Sequence, residues 1–171
     1  MQMLRKITRK FNLFLINHFL SGTRFFALKR GLLRLAGYKV GDGTRVVGPI
    51  KVTASLEIGR NCFIGTGFHV HGNGKVVIGD NCDLAPEIVV LTGSHEIGDS
   101  SHRAGKGYNG TVIIGNGCWI GGCSRILPDV NIGCGVVIAA CSVVNKDIPE
   151  NTMAAGVPCK VKRDLEGGDT L

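Results

Sequence analysis

Aliphatic residues recur every six positions along most of this chain. One series runs Ile114, Ile120, Ile126, Ile132, Ile138 and Val144. Upstream it runs Val40, Val46, Val52, Ile58, Ile64 and Val70, and after a two-residue slip at 71–74 it resumes at Ile78, Leu84 and Val90. Glycine or alanine follows several of these residues, as in Ile114-Gly115, Ile120-Gly121 and Ile138-Ala139. A period of six fits neither an amphipathic helix nor a single strand. It fits very short strands joined by tight turns and stacked as a solenoid. Three hexads per triangular turn predict an all-β fold of about five 18-residue coils at 40–57, 58–77, 78–95, 114–131 and 132–149. At about 4.8 Å per coil the prism is roughly 24 Å tall. The stretch 96–109 (EIGDSSHRAGKGYN) breaks the aliphatic rule and reads as a polar loop thrown out of the coil. After Pro149 the chain is expected to leave the repeat.

The first forty residues follow a different rhythm. Leu4, Ile7, Phe11, Phe14, Leu15 and His18 fall at helical spacings within 3–20, with Arg5, Lys6, Arg9 and Lys10 largely on other faces. A second basic-apolar helix is predicted over 24–36, capped by Gly37. Neither stretch has the ~20 apolar residues that span a bilayer. Two compatible readings follow: a helix pair lying on an anionic membrane surface, and a cap over the open first coil. The expected organisation is a basic helical segment at 1–39, a solenoid domain at 40–165 carrying the 96–109 loop, and a tail at 166–171.

Charge sharpens this division. The chain of 171 residues has a formal net charge of +7. Residues 1–40 hold nine Lys/Arg and no acidic residue, whereas 41–171 hold eleven basic and thirteen acidic residues. No recognition motif accompanies the basic head, so a nucleic-acid partner is not expected. The seven cysteines are odd in number and lack zinc spacing, and no secretory signal precedes them. They read as reduced, structural thiols, which points to the cytoplasm. His69 and His71 lie two apart on one strand face, but no third ligand is apparent. They read as a solvated corner, and no metal is expected.

Thr92-Gly93-Ser94-His95, the loop after it, Ile114-Gly115-Asn116-Gly117-Cys118-Trp119-Ile120-Gly121-Gly122 and Gly156-Val157-Pro158-Cys159-Lys160-Val161 resemble the hexapeptide-repeat acyltransferases. These have a left-handed parallel β-helix, and the likeness is to their galactoside, maltose and streptogramin O-acetyltransferase branch over 40–165. The first forty residues are closer to polysaccharide-biosynthesis acetyltransferases. The resemblance implies direct acetyl transfer from acetyl-CoA to a hydroxyl within a homotrimer, with no acyl-cysteine. His95 then stands as the general base that later protonates the leaving thiolate, a role suited to an imidazole near neutral pH. Glu96, Asp99 and a backbone carbonyl are all open as the group that orients it, and His102 is the weaker histidine.

The same resemblance assigns coenzyme A to Trp119, Gly122, Ala140, Lys146, Pro158, Lys160 and Arg163. It places the acceptor near Gly65, with Thr66 and His69 nearby, and the polar loop, read as a binding insertion, adds Arg103. The sugar enzymes hold an asparagine where Gly65 falls, so their acceptors do not carry over. The expected acceptor is a sugar hydroxyl on a surface-polysaccharide precursor, handled in the cytoplasm and at the inner face of the membrane. Alternatives are antibiotic (streptogramin-type) acetylation, serine acetylation, a β-helix scaffold, and a carbonic-anhydrase-like metal protein. Serine acetyltransferases carry a long helical N-terminal domain that forty residues cannot supply. The spacing of His69, His71, His95 and His102 does not match the anhydrase ligands.

Overall fold

The structure, a computed structural model, describes residues 2–165, with side chains from residue 7 onward. The tail at 166–171 and the side chains of Leu4, Arg5 and Lys6 lie outside the described residues. Two helices, α1 (Gln2–His18) and α2 (Phe26–Leu35), precede the solenoid. Coil 1 is β1 (Lys39–Val40), β2 (Arg45–Val46) and β3 (Ile50–Val52); coil 2 is β4 (Ser55–Ile58), β5 (Phe63–Ile64) and β6 (Phe68–His71). Coil 3 is β7 (Lys75–Ile78), β8 (Asp83–Leu84) and β9 (Val89–Leu91). A hairpin, β10 (Gly93–Ile97) and β11 (Ala104–Asn109), then leaves the coil. Coil 4 is β12 (Thr111–Ile114), β13 (Trp119–Ile120) and β14 (Arg125–Ile126); coil 5 is β15 (Asn131–Ile132), β16 (Val137–Ile138) and β17 (Val143–Val144). β18 (Thr152–Ala155) and β19 (Lys160–Asp164) end the described chain.

The strands stack into three faces. The first holds β1, β4, β7, β12 and β15. The second holds β2, β5, β8, β13, β16, β18 and β19, and the third holds β3, β6, β9, β14 and β17. All fifteen aliphatics of the six-residue series are buried. They form one ladder per face: Val40, Ile58, Ile78, Ile114 and Ile132 on the first; Val46, Ile64, Leu84, Ile120 and Ile138 on the second; Val52, Val70, Val90, Ile126 and Val144 on the third. Parallel, in-register stacking puts like against like. The core is therefore a column of branched side chains with few gaps.

The corners explain the glycines and asparagines. Where the chain turns off a strand, successive coils nearly touch: a Cβ at Gly121 would stand 2.4 Å from the backbone nitrogen of Ala140. The next corner residue needs positive φ, which Asn tolerates; Asn61, Asn81 and Asn151 adopt φ of 57°, 58° and 52°. Cys123 and Cys141 occupy equivalent left-handed sites, at φ 60° and 59°, between the second and third faces.

The thiols accordingly fall into two kinds. Cys62, Cys82 and Cys118 form a buried column, and their Sγ atoms donate to the carbonyls of Gly79, Gly115 and Gly133 at 3.1, 3.0 and 3.0 Å. Cys159 is also buried, but Cys123, Cys134 and Cys141 are exposed. The expectation that all seven are structural fillers is thus corrected for the three corner thiols.

The repeat also runs on past Pro149. Ile148 bridges to Ile132, and β18 adds a parallel sixth rung beside β16. The chain then turns at the cis Val157–Pro158 bond, and β19 folds back antiparallel on β18. At the other end α1 and α2 lie against coil 1. The Asn17 amide donates to Ile50 O (2.8 Å) and accepts from Ile50 N (2.9 Å), imitating the strand that would lie there. Tyr38 Oη donates to Val52 O at 3.0 Å, and Arg30 to Thr44 O at 3.0 Å.

Candidate active site

The 96–109 segment has a strand-paired core: Gly93 to Ile97 pairs antiparallel with Ala104 to Asn109, with a bulge between His95 and Ile97. Its base is held where the third face turns into the first. Gly110 N donates to Thr92 O (2.7 Å), and Thr92 N donates to His71 O (2.8 Å). Asn73 N donates to Asn109 Oδ1 (3.1 Å). The wide turn that the sequence marks by its two-residue slip at 71–74 is therefore the floor on which the hairpin stands. A Cβ at Gly74 would collide with Gly110 O, so this seat requires glycine.

His95 lies on β10 opposite Gly107, and its ring is exposed. A Cβ at Gly107 would sit 3.5 Å from that ring, so glycine keeps one side of the imidazole open. Asp99 is committed elsewhere: its Oδ1 accepts from Ser101 N (2.8 Å), Ser101 Oγ (2.5 Å) and His102 N (3.2 Å). These bonds to Ser101 and His102 hold the Asp99 carboxyl below its ordinary range. It shapes the hairpin tip and does not orient His95. Glu96 follows at the bulge between His95 and Ile97, where the alternation of the strand is interrupted, and it is exposed.

A second feature lies at a different corner. Ala85, Trp119, Gly121, Gly122, Val137, Ile138, Ala139, Ala140 and Met153 surround a groove of about 300 Å³. Trp119 forms one wall and is half exposed on the second face, between Asp83 and Val137 in the neighbouring rungs. Gly121 and Gly122 open the floor. The lining is almost wholly apolar, which suits an aliphatic, thioether-like arm and offers no site for a localised charge.

Of the residues expected at a nucleotide thioester, Trp119, Gly122 and Ala140 line this groove, whereas Lys146, Pro158, Lys160 and Arg163 stand beyond it. Arg163 pairs in register with Met153, a lining residue, and Lys160 pairs with Ala155. Both cations are exposed on β19, as Lys146 and Pro158 are on the turns before it. The expected acceptor residues lie apart within one protomer. Gly65 packs under Ala85 and Pro86 at the groove's corner, two coils lower than Gly121. Thr66 Oγ1 donates to Gly48 O (3.0 Å). His69 is on the third face, its ring 5.8 Å from that of His71. Arg103 is at the hairpin tip, bonded to Gly98 O (3.2 Å). Burial, then Lys51 and His69, hold the His71 pKa below its ordinary value. Among the described residues no group of three or more His, Cys, Asp or Glu is placed to hold a metal ion.

Sequence reading missed Ala85, Gly121, Val137, Ile138, Ala139 and Met153 as groove residues. The signal was available, since Ala85, Gly121 and Ala139 occupy the same corner of successive coils.

Three ladders of hexad repeats, a histidine-bearing hairpin at one corner and an apolar groove at another define a hexapeptide-type parallel β-helix with a ligand cleft. No family model matches the chain. It is 36% identical over 132 residues to the galactoside O-acetyltransferase of Escherichia coli, covering 76% of this chain and 65% of that protein. The solved maltose O-acetyltransferase of Clostridium difficile superposes with a TM-score of 0.75 at 31% identity, over 96% of this chain and 88% of that one. A galactoside acetyltransferase solved in complex with coenzyme A superposes with a TM-score of 0.81 at 30% identity, over 95% and 81%. The chain belongs to the hexapeptide-repeat acyltransferase family, among the relatives of the galactoside and maltose O-acetyltransferases. Its aligned stretch spans just under two thirds of the Escherichia coli relative's length.

Proposed function

We propose that the protein transfers an acetyl group from acetyl-CoA to a hydroxyl of a sugar in a surface-polysaccharide precursor, with His95 as general base. The observation that carries this reading is the apolar groove beside Trp119, in a chain whose relative was solved with coenzyme A. The residues fit such a ligand. Gly121 and Gly122 leave the floor clear, and Lys146, Lys160 and Arg163 supply positive charge beyond the groove for nucleotide phosphates.

In the reaction, His95 takes the acceptor hydroxyl proton as that oxygen attacks the thioester carbonyl carbon. A tetrahedral oxyanion forms, best stabilised by a backbone N–H. Its collapse breaks the carbon–sulfur bond, and the imidazolium returns its proton to the thiolate. The products are the O-acetyl ester and free coenzyme A, with no acyl-cysteine between. Within one protomer the hairpin and the groove stand at different corners of the triangular coil. This separation supports a homotrimer in which His95 of one protomer serves the groove of the next, and in which Gly65, Thr66, His69 and Arg103 converge on the acceptor. The reading places the enzyme in the cytoplasm.

The test is free-thiol release from acetyl-CoA across a panel of sugars, nucleotide sugars and lipid-linked sugars. Turnover with a hydroxyl acceptor, lost in His95→Ala, is the expected result. No thiol release with any acceptor, or a folded His95→Ala variant at full rate, overturns it.

A further inference from the structure

α1 has two apolar faces, and the stronger one is not the one that packs. The buried side is built from Asn12 and Ile16, with Leu13 partly covered; Asn12 Nδ2 donates to Leu32 O at 2.9 Å and Arg9 Nε to Ala36 O at 3.4 Å. Ile7, Phe11, Phe14 and His18, spaced 4, 3 and 4 residues apart, form the opposite side and are exposed. Phe11 is 59% and Phe19 71% accessible. The patch is continuous: the Phe14 ring stacks on His18 at 4.3 Å and meets Phe19 edge-on at 5.9 Å. Phe25, Leu28 and Leu35 add exposed apolar surface on and beside α2. Scattered exposed hydrophobes need no explanation, but a contiguous aromatic patch marks an interaction surface.

The surrounding charge selects the partner. Residues 1–40 contain no acidic side chain against nine basic ones. Lys10 and Arg24, next in sequence to Phe11 and Phe25, are exposed. Arg34 and Lys39 are tied to Asp42 and Glu57 at the coil edge. Neither helix is long and apolar enough to cross a membrane. Aromatic rings flanked by cations, on a helix too short to span, match the boundary between headgroups and acyl chains of an anionic bilayer.

We propose that the outward face of α1, with Phe19 and Phe25, docks the protein on an anionic lipid bilayer, the rings entering the interface and Lys10 and Arg24 meeting lipid phosphates. The helices cover coil 1, so the groove at coils 3–5 stands about 10–20 Å farther from the surface at one rung spacing per coil. This docking does not depend on the acetyl-transfer reading.

The experiment is flotation of the full chain with vesicles of equimolar phosphatidylglycerol and phosphatidylcholine, against vesicles of phosphatidylcholine alone. Flotation is expected only with the anionic vesicles and should fall as salt rises. A Phe11→Ser, Phe14→Ser, Phe19→Ser variant should partition on the order of a hundredfold more weakly. Lys10→Glu with Arg24→Glu should weaken binding by about thirtyfold or more. Circular dichroism and light scattering on each variant verify fold and mass. No flotation with anionic vesicles, or flotation unchanged in the folded serine variant, overturns the proposal. So does a change of oligomer mass in that variant, because the face would then be a contact between copies of this chain. Thiol release measured on the same samples is read separately, so failure of one reading leaves the other standing.

Discussion

Ile113 and Ile114 are the same residue on the same strand, one facing out at 42% accessibility and one facing in at 1%. Ile114 stacks between Ile78 and Ile132 in the first ladder. Truncating it to alanine removes three carbons, worth about 2.4 kcal/mol of transfer free energy. The cavity term adds to this, because in-register neighbours above and below cannot close the gap without breaking their own stacking. We predict that Ile114→Ala costs about 3–4 kcal/mol and Ile113→Ala about 1 kcal/mol, mostly from partial burial and strand preference. In a domain of this size the difference corresponds to roughly 5–10 °C in melting midpoint. Urea unfolding of both variants, with unchanged denaturant slope, is the assay. Equal destabilisation of the two, at midpoints independent of protein concentration, would refute the inward register of the ladder.

Four other outcomes are expected. Trp119→Ala, and separately Gly122→Val, should raise the acetyl-CoA concentration needed for half-maximal thiol release by about tenfold while leaving the circular dichroism spectrum unchanged, since each removes or fills groove surface. Alkylation of the native protein followed by mass spectrometry should modify Cys123, Cys134 and Cys141 quickly. Cys62, Cys82, Cys118 and Cys159 should react only on unfolding; in the column, hydrogen bonding with Cys118 leads the causes that push Cys82 up to about 11. Lys29 is fully buried, with Nζ 2.6 Å from Gly22 O and over the Phe26 ring at 4.8 Å, and burial lowers its pKa. The unfolded chain then holds the proton to higher pH than the folded one, so the charge penalty is complete below the folded pKa and is relieved as pH rises through it toward the unfolded pKa. Lys29→Met should therefore raise stability by about 1–2 kcal/mol at pH 7, with the advantage shrinking toward pH ~10, as read by thermal melts.

The solenoid was legible because its physics is periodic. One inward aliphatic per six residues, a glycine where coils touch and an asparagine where φ turns positive all leave marks in the sequence. The hairpin was less so: its strands are polar and glycine-rich and pair only with each other, so no core-facing pattern announces them. The sixth rung was missed because β18 contributes only the small Ala154 to its ladder before the chain doubles back. Groove residues come from neighbouring coils, and only adding a coil length to Ala85 finds Gly121 and Ala139. On α1 the hydrophobic count alone does not reveal the packed side. Asn12 and Asn17, polar residues that the hydrophobic count passes over, sit on the packed side and bond backbone groups of α2 and β3.

The Asn17 amide and the reversed strand β19 have a consequence for the molecule in bulk. An open rung is a template on which another copy could lay its own first or last strand, and a parallel stack with two such ends would grow into a filament. Here one end offers a side chain in place of a partner strand, and the other offers a run of the wrong direction with Lys160, Lys162 and Arg163 along it. Both features disfavour end-to-end stacking of copies.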